Sequence, residues 1–302
     1  MRADTGRPGC ALVSRRRLLA AGVDIGLGAA AATLLAAPPP ARAQSMPGRQ
    51  AKDQPARERG PGRRRVFITG STTGLGHAAA VSLLAEGHEV VVHARSRSRL
   101  SAVDDLVARG AIATVGDLSD LAQVRDLAGQ VNAIGRMDAV IHNAGVSSGP
   151  HVMVVNVTAP YLLTALVTRP RRLVYLSSAM HMGGRAQLDG IDWTGGGSYS
   201  DSKLFVTTLA AAVARRWPGV YSNAVNPGWV PTRMGGAHAP DDLRLGHLTQ
   251  EWLATSDDPR ALTSGGYWYH QERRDPHPAV HDTAFQEALL EALARATGVT
   301  LP

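Results

Sequence analysis

An apolar, β-rich run at 65–69 leads directly into Thr69-Gly70-Ser71-Thr72-Thr73-Gly74-Leu75-Gly76, which opens a helical pattern ending near Glu86. Glycines between a strand and a helix let backbone approach a diphosphate, whose charge is stabilised by free N–H groups at the helix start. Tight turns also favour glycine, so the loop gains meaning from the pattern of the chain around it. Further β-rich runs at 89–93, 112–115, 139–142, 173–177 and 220–225 alternate with helical patterns near 98–108, 120–133, 152–168 and 200–216. Repeated units of this length predict one α/β domain built on a doubly wound parallel sheet with right-handed crossovers.

The 302 residues are enough for one large core plus extensions. The net charge of +7 points to an anionic partner until its distribution is read. Residues 1–43 hold six basic and two acidic residues and 44–65 hold seven and two, leaving 19 basic against 21 acidic in the rest. No basic footprint for a nucleic acid remains in the domain. The single cysteine, Cys10, precedes the domain, so neither disulfides nor a thiolate metal site can form within it.

Ser14-Arg15-Arg16-Arg17-Leu18-Leu19, an Ala/Gly/Leu-rich run and Ala41-Arg42-Ala43 resemble a twin-arginine export signal cleaved after Ala43. Asp24 and several glycines speak against a stable membrane span. Residues 1–43 are therefore expected to be a signal peptide, 44–65 a basic disordered linker and 66–302 the domain. Export to the periplasm or medium is then expected; a start at Met46 would instead leave the protein in the cytoplasm.

Thr69, Gly70, Gly74 and Gly76 meet the spacing T-G-x-x-x-G-x-G. Asp117-Leu118, Asn143-Ala144-Gly145, Asn156, Ser177-Ser178, Tyr199-Ser200-Asp201-Ser202-Lys203 and Asn226-Pro227-Gly228 through Thr232 come after it in order. In this the chain resembles the short-chain dehydrogenase/reductase family, with a Rossmann-type fold. Ser-Ser-x-x-His, ending at His181, and Ser264-Gly265-Gly266-Tyr267-Trp268-Tyr269 are similar to its retinol-dehydrogenase-like branch. The sequence departs from the family in two places. His142 replaces the first Asn of Asn-Asn-Ala-Gly, and only ten residues separate Gly145 from Asn156.

The resemblance implies interconversion of a carbonyl and an alcohol by hydride transfer, with Tyr199 as acid/base and Ser178 holding the substrate oxygen. Lys203 would bind the nicotinamide ribose and Asn156 would hold a proton-relaying water. It further implies dinucleotide contacts from Gly70, Ser71, Thr73, Gly74, Leu75, Gly76, Arg95, Asp117, Leu118, Asn143, Ala144, Gly145, Tyr199, Lys203, Pro227, Gly228, Val230 and Thr232, and a homodimer or homotetramer. The run 205–213 is then either helix core or a dimer face. A lysine ammonium at about 4 Å would stabilise the phenolate of Tyr199 by roughly 4 kcal/mol, lowering its pKa.

The second strand ends His93-Ala94-Arg95-Ser96 and offers no carboxylate for a ribose hydroxyl, while Arg95 can meet a 2′-phosphate. NADP is therefore expected, with NAD as the alternative. Trp193, Trp229 and Met234 suggest a small apolar substrate or simply core packing. Two other readings compete: a non-catalytic dinucleotide sensor, and a serine hydrolase using Ser147 of Gly145-Val146-Ser147-Ser148-Gly149. His277 and His281 are four apart, but Pro276 and Pro278 disrupt the helix that would align them on a metal.

Overall fold

A computed structural model describes residues 62–302. The expected signal peptide, Cys10, Met46 and most of the expected linker lie outside the described residues. Among those described, the linker's last residues belong to the domain. Arg64 donates to Asp257 at 2.7 Å, and Arg65 opens the first strand and pairs with Glu89 at 3.1 Å. No helix among the described residues is long and apolar enough to cross a membrane.

Seven strands run parallel: β1 (Arg65–Ile68), β2 (Glu89–Ala94), β3 (Ile112–Val115), β4 (Ala139–His142), β5 (Arg172–Leu176), β6 (Tyr221–Asn226) and β7 (Tyr267–Tyr269). β8 (Glu272–Arg274) pairs antiparallel at the edge, and the spatial order is β3-β2-β1-β4-β5-β6-β7-β8. The order reverses between β1 and β4, which opens a crevice beyond their carboxyl ends.

The helices are α1 (Gly74–Ala85), α2 (Asp104–Ala108), α3 (Leu121–Ile134), α4 (Ala159–Leu166), α5 (Tyr199–Arg216), α6 (Leu243–Thr255) and α7 (Thr283–Thr297). Side chains alternate across each strand, so Phe67, Val91 and Val140 enter one core with Leu127, Leu162 and Phe205. Their neighbours Ile68, Val92 and Ile141 enter the other with Leu83, Leu106 and Leu253. Strands buried on both faces need continuous apolar runs, which is why β2 reads Val90-Val91-Val92. The 205–213 run is core: every residue of it is buried, and α5 packs against α7 of the same chain. A homo-oligomer would have to join through another face.

The pattern near 98–108 resolves into a 3-10 turn, Arg97–Val103, followed by α2. The pattern at 152–168 holds a π turn, Val154–Thr158, ahead of α4. Pro160 has no N–H to give the carbonyl four residues back, and there the helix widens until the Ala159 N–H bonds the Val154 carbonyl.

Candidate active site

The cleft measures about 500 Å³. Gly70, Thr73, Gly74, Leu75, Arg95, Asp117, Leu118, Asn143, Ala144, Gly145, Tyr199, Lys203, Pro227 and Thr232 all line it. At its floor, the Thr69 hydroxyl accepts the N–H groups of Asn143 and Ala144, both at 3.0 Å, while the Asn143 amide donates to the Thr69 carbonyl at 2.9 Å. The two loops are thus cross-linked by side chains. Gly70 is required by both conformation and space: its φ is +70°, and a Cβ there would come within 2.9 Å of the Ala144 Cα.

Four of the expected cofactor residues act from behind the lining. Ser71 is fully buried and donates to the Ile68 carbonyl at 2.5 Å. Gly76 lets α1 approach, since a Cβ would sit 2.4 Å from the Asn143 amide. Val230 is buried, where a Cβ on Gly246 would stand 2.7 Å from it. Gly228, at φ +82°, donates to the Asn226 side chain at 3.0 Å.

His93 was not among the expected site residues, yet it fixes the glycine loop. Its Nδ1 accepts the Gly70 N–H at 3.0 Å, and a backbone N–H can only donate, so the proton lies on Nε2, which meets the Gly116 carbonyl at 2.7 Å. Burial holds this imidazole below its usual pKa and hence neutral. The signal in the sequence was a histidine at a position where a buried apolar residue would serve.

Across the cleft, Ser178 follows β5 and its hydroxyl lies near enough to the Tyr199 phenol to act on its pKa. Tyr199 begins α5, whose first turn is held by Ser198 accepting the Asp201 N–H at 3.2 Å. Asp201 in turn accepts the Arg185 backbone N–H at 2.8 Å and its guanidinium at 3.0 Å, anchoring the preceding loop. Lys203 is buried one turn on, with Nζ 5.5 Å from the Tyr199 ring centre and donating to the Leu176 carbonyl at 2.7 Å.

The expected depression of the phenol pKa does not occur here. Burial raises Tyr199 above its usual value and the nearby Ser178 hydroxyl opposes that, while one of the Lys203 N–H groups goes to the Leu176 carbonyl. Burial also pushes Lys203 down to about 8.

The short connection to Asn156 is closed by that residue's own amide. It accepts the Val146 N–H and donates to the Val146 carbonyl, both at 2.9 Å, and reaches the Ser202 hydroxyl at 3.0 Å. Asn156 therefore clamps the loop beside Lys203 through three hydrogen bonds of its side chain. His142 is sealed in the core, stacked on Tyr175 at 4.7 Å, with Nε2 at 3.1 Å from the Thr164 hydroxyl.

Trp193 is half-buried and packs on Phe205 at 5.5 Å against the core, whereas Met234 lines the cleft and Trp229, 60% exposed, donates to the Gly235 carbonyl next to it at 2.8 Å. Ser147 is exposed, and no histidine bonds to it. His277 spends its ring capping the Pro278–His281 turn, accepting the Ala279 N–H at 3.2 Å.

Residues 64–242, more than half of the chain, match the model of the short chain dehydrogenase family. The chain belongs to that family. A short-chain dehydrogenase from Gibberella zeae is 36% identical, the match covering 79% of this chain and 98% of the relative. Human retinol dehydrogenase 13 is 26% identical over 78% and 85% of the two chains. A metagenomic blue fluorescent protein solved with NADPH superposes with a TM-score of 0.57 at 24% identity, covering 68% of this chain and 95% of that one.

The short-chain dehydrogenase fold places a nicotinamide dinucleotide in this crevice, and the residues here fit it. The N-terminus of α1 carries no side-chain cap and no acidic residue in its first turn, so its N–H groups are open to a diphosphate. Arg95 and Arg99 also line the cleft, and the carboxylate of Asp117 is 3.8 Å from Arg95 and takes the Ser119 hydroxyl at 2.7 Å.

Proposed function

We propose that this oxidoreductase reduces the carbonyl of a small apolar substrate with NADPH, using Tyr199 as the proton donor. The observation that carries the reading is that Tyr199 and Lys203 line the same cleft as Arg95, with Ser178 close to the phenol. When bound, the reduced nicotinamide supplies the hydride. Ser178 hydrogen-bonds the substrate oxygen and Tyr199 gives it a proton as negative charge develops there. Burial keeps the Tyr199 phenol protonated, the form in which it can act as the acid.

Arg95, which is exposed and only distantly paired with Asp117, supports NADP over NAD by offering a guanidinium to a 2′-phosphate. NADP complexes among proteins of this fold point the same way. Met234 in the lining and Trp229 beside it support an apolar substrate. A panel of aldehydes and ketones with NADPH tests the reading: oxidation of NADPH that depends on both Tyr199 and a carbonyl is expected, and tight binding without turnover on any of them would favour a sensor. Export by the twin-arginine route remains part of the proposal on residues 14–43. Unchanged fractionation after Arg15→Lys with Arg16→Lys would decide for a cytoplasmic protein.

A further inference from the structure

His181 is completely buried, three residues beyond Ser178 and 96 residues before His277, and it touches both. Its Nε2 accepts the backbone N–H of His277 at 3.0 Å. Since that N–H can only donate, the ring proton sits on Nδ1, which meets the Ser178 carbonyl at 2.8 Å. One imidazole, in one tautomer, joins the C-terminal turn Pro278–His281 to the backbone of the serine that faces the substrate oxygen. The ring also packs against Tyr267 at 4.4 Å between centres. The Tyr267 hydroxyl lies near the side chain of Asn226, which accepts the Gly228 N–H at 3.0 Å. Ser178, the loop after β6 and the C-terminal turn therefore meet around a single ring.

We propose that His181 is a positioning residue through which docking of the C-terminal turn sets the orientation of Ser178. This rests on the reading of Ser178 as the group that holds the substrate oxygen. Without the His277 N–H, Nε2 is a buried acceptor with no partner, and the ring can relieve this only by tilting towards another donor or water. Its Nδ1–H bond to the Ser178 carbonyl would tilt with it, and the serine backbone would shift. A positional error of this kind, remote from the reacting atoms, lowers turnover more than it lowers binding.

His277 has φ −52°, which proline can adopt, so His277→Pro removes the donor with little backbone change. His277→Ala removes the imidazole and keeps the donor. His277→Pro should lower kcat per NADPH-binding site by about ten- to a hundredfold and leave NADPH affinity unmoved. His277→Ala should keep the wild-type kcat; equal losses in the two variants would overturn the proposal. Should the proline variant not fold, His181→Asn and His181→Gln decide the matter. Asparagine can still donate to the Ser178 carbonyl and glutamine, reaching further, cannot, so asparagine must retain the higher kcat. The reverse order overturns the proposal. Nitrogen NMR of His181 is a readout free of turnover: an Nδ1-protonated ring with a hydrogen-bonded Nε2 in the wild type and in His277→Ala, and an Nε2 resonance displaced by loss of that bond in His277→Pro, supports the linkage. An Nε2-protonated ring in the wild type refutes it. Were no carbonyl reduced at all, the reading of Ser178 would fall, while the NMR result would still stand or fall alone.

Discussion

The dinucleotide side of the cleft is assembled by neighbours: the Gly70 loop, His93 at the end of β2 and Gly116 after β3 succeed one another in chain and sheet. The catalytic side draws Ser178, Tyr199 and the Pro278–His281 turn from three distant places and holds them through side chains. Each side has one buried histidine of fixed tautomer, but with opposite polarity. His93 accepts from the loop it positions and donates to the anchor, while His181 donates to the loop and accepts from the anchor. Backbone geometry governs the first side and side-chain chemistry the second, so substitutions should separate binding from turnover.

Tyr199→Phe should have the largest effect, lowering kcat by about 10²–10⁴ as the proton donor is lost. NADPH affinity should change little, since the ring and its contact with Lys203 remain. A Tyr199→Phe enzyme that keeps half its turnover would end the assignment. On the other side, Gly70→Ala forces a Cβ to within 2.9 Å of the Ala144 Cα at φ +70°. Strain of about 1–3 kcal/mol predicts NADPH binding weaker by ten- to a hundredfold, with kcat at saturation largely kept. Calorimetric titration showing unchanged affinity would mean that the loop adapts and that the comparison is drawn too sharply.

Arg95→Asp tests selectivity within the binding side. Replacing the guanidinium by a carboxylate should reduce the preference for NADPH over NADH by about tenfold, the worth of a charge-assisted hydrogen bond. Steady-state kinetics with both cofactors would show it, and an unaltered ratio would assign the 2′-phosphate elsewhere, with Arg99 the next candidate in the lining.

The same division explains what could be read from the sequence. The parallel order through β6 follows from alternating apolar runs, and the glycine loop from its position between β1 and α1. The β7–β8 hairpin escaped because its turn has His270 and Gln271 at φ 50° and 61°, where Asn-Gly or Gly would have announced it. α6 and α7 were signalled by Asp242 and Asp282, each of which accepts two N–H groups of its helix's first turn, but lone aspartates are common in loops. Ser178, Tyr199 and Lys203 were legible as types in order. That Lys203 turns to the Leu176 carbonyl, and that Asn156 is consumed by Val146, depends on packing that no spacing encodes.

His142 lies beneath both sides, and its effect should be the smallest and confined to stability. Sealed against Tyr175 and Thr164, it is pushed by burial down to about 3, so it stays neutral in the fold while the unfolded chain binds a proton below about 6.5. The unfolded state therefore gains protons first, and stability falls as pH drops from 6.5 towards 3, by roughly 1 kcal/mol per unit from this group. Above 6.5 both states are neutral and the term vanishes. His142→Phe keeps an aromatic ring on Tyr175, and the Thr164 hydroxyl retains the Pro160 carbonyl at 2.7 Å and the Tyr175 hydroxyl at 2.8 Å. Urea unfolding should thus give similar stabilities for variant and wild type at pH 7.5, with the variant ahead by roughly 1 kcal/mol at pH 5.5. Parallel acid limbs would show that His142 takes up its proton in the folded state, and the core beneath β4 would then have to admit water.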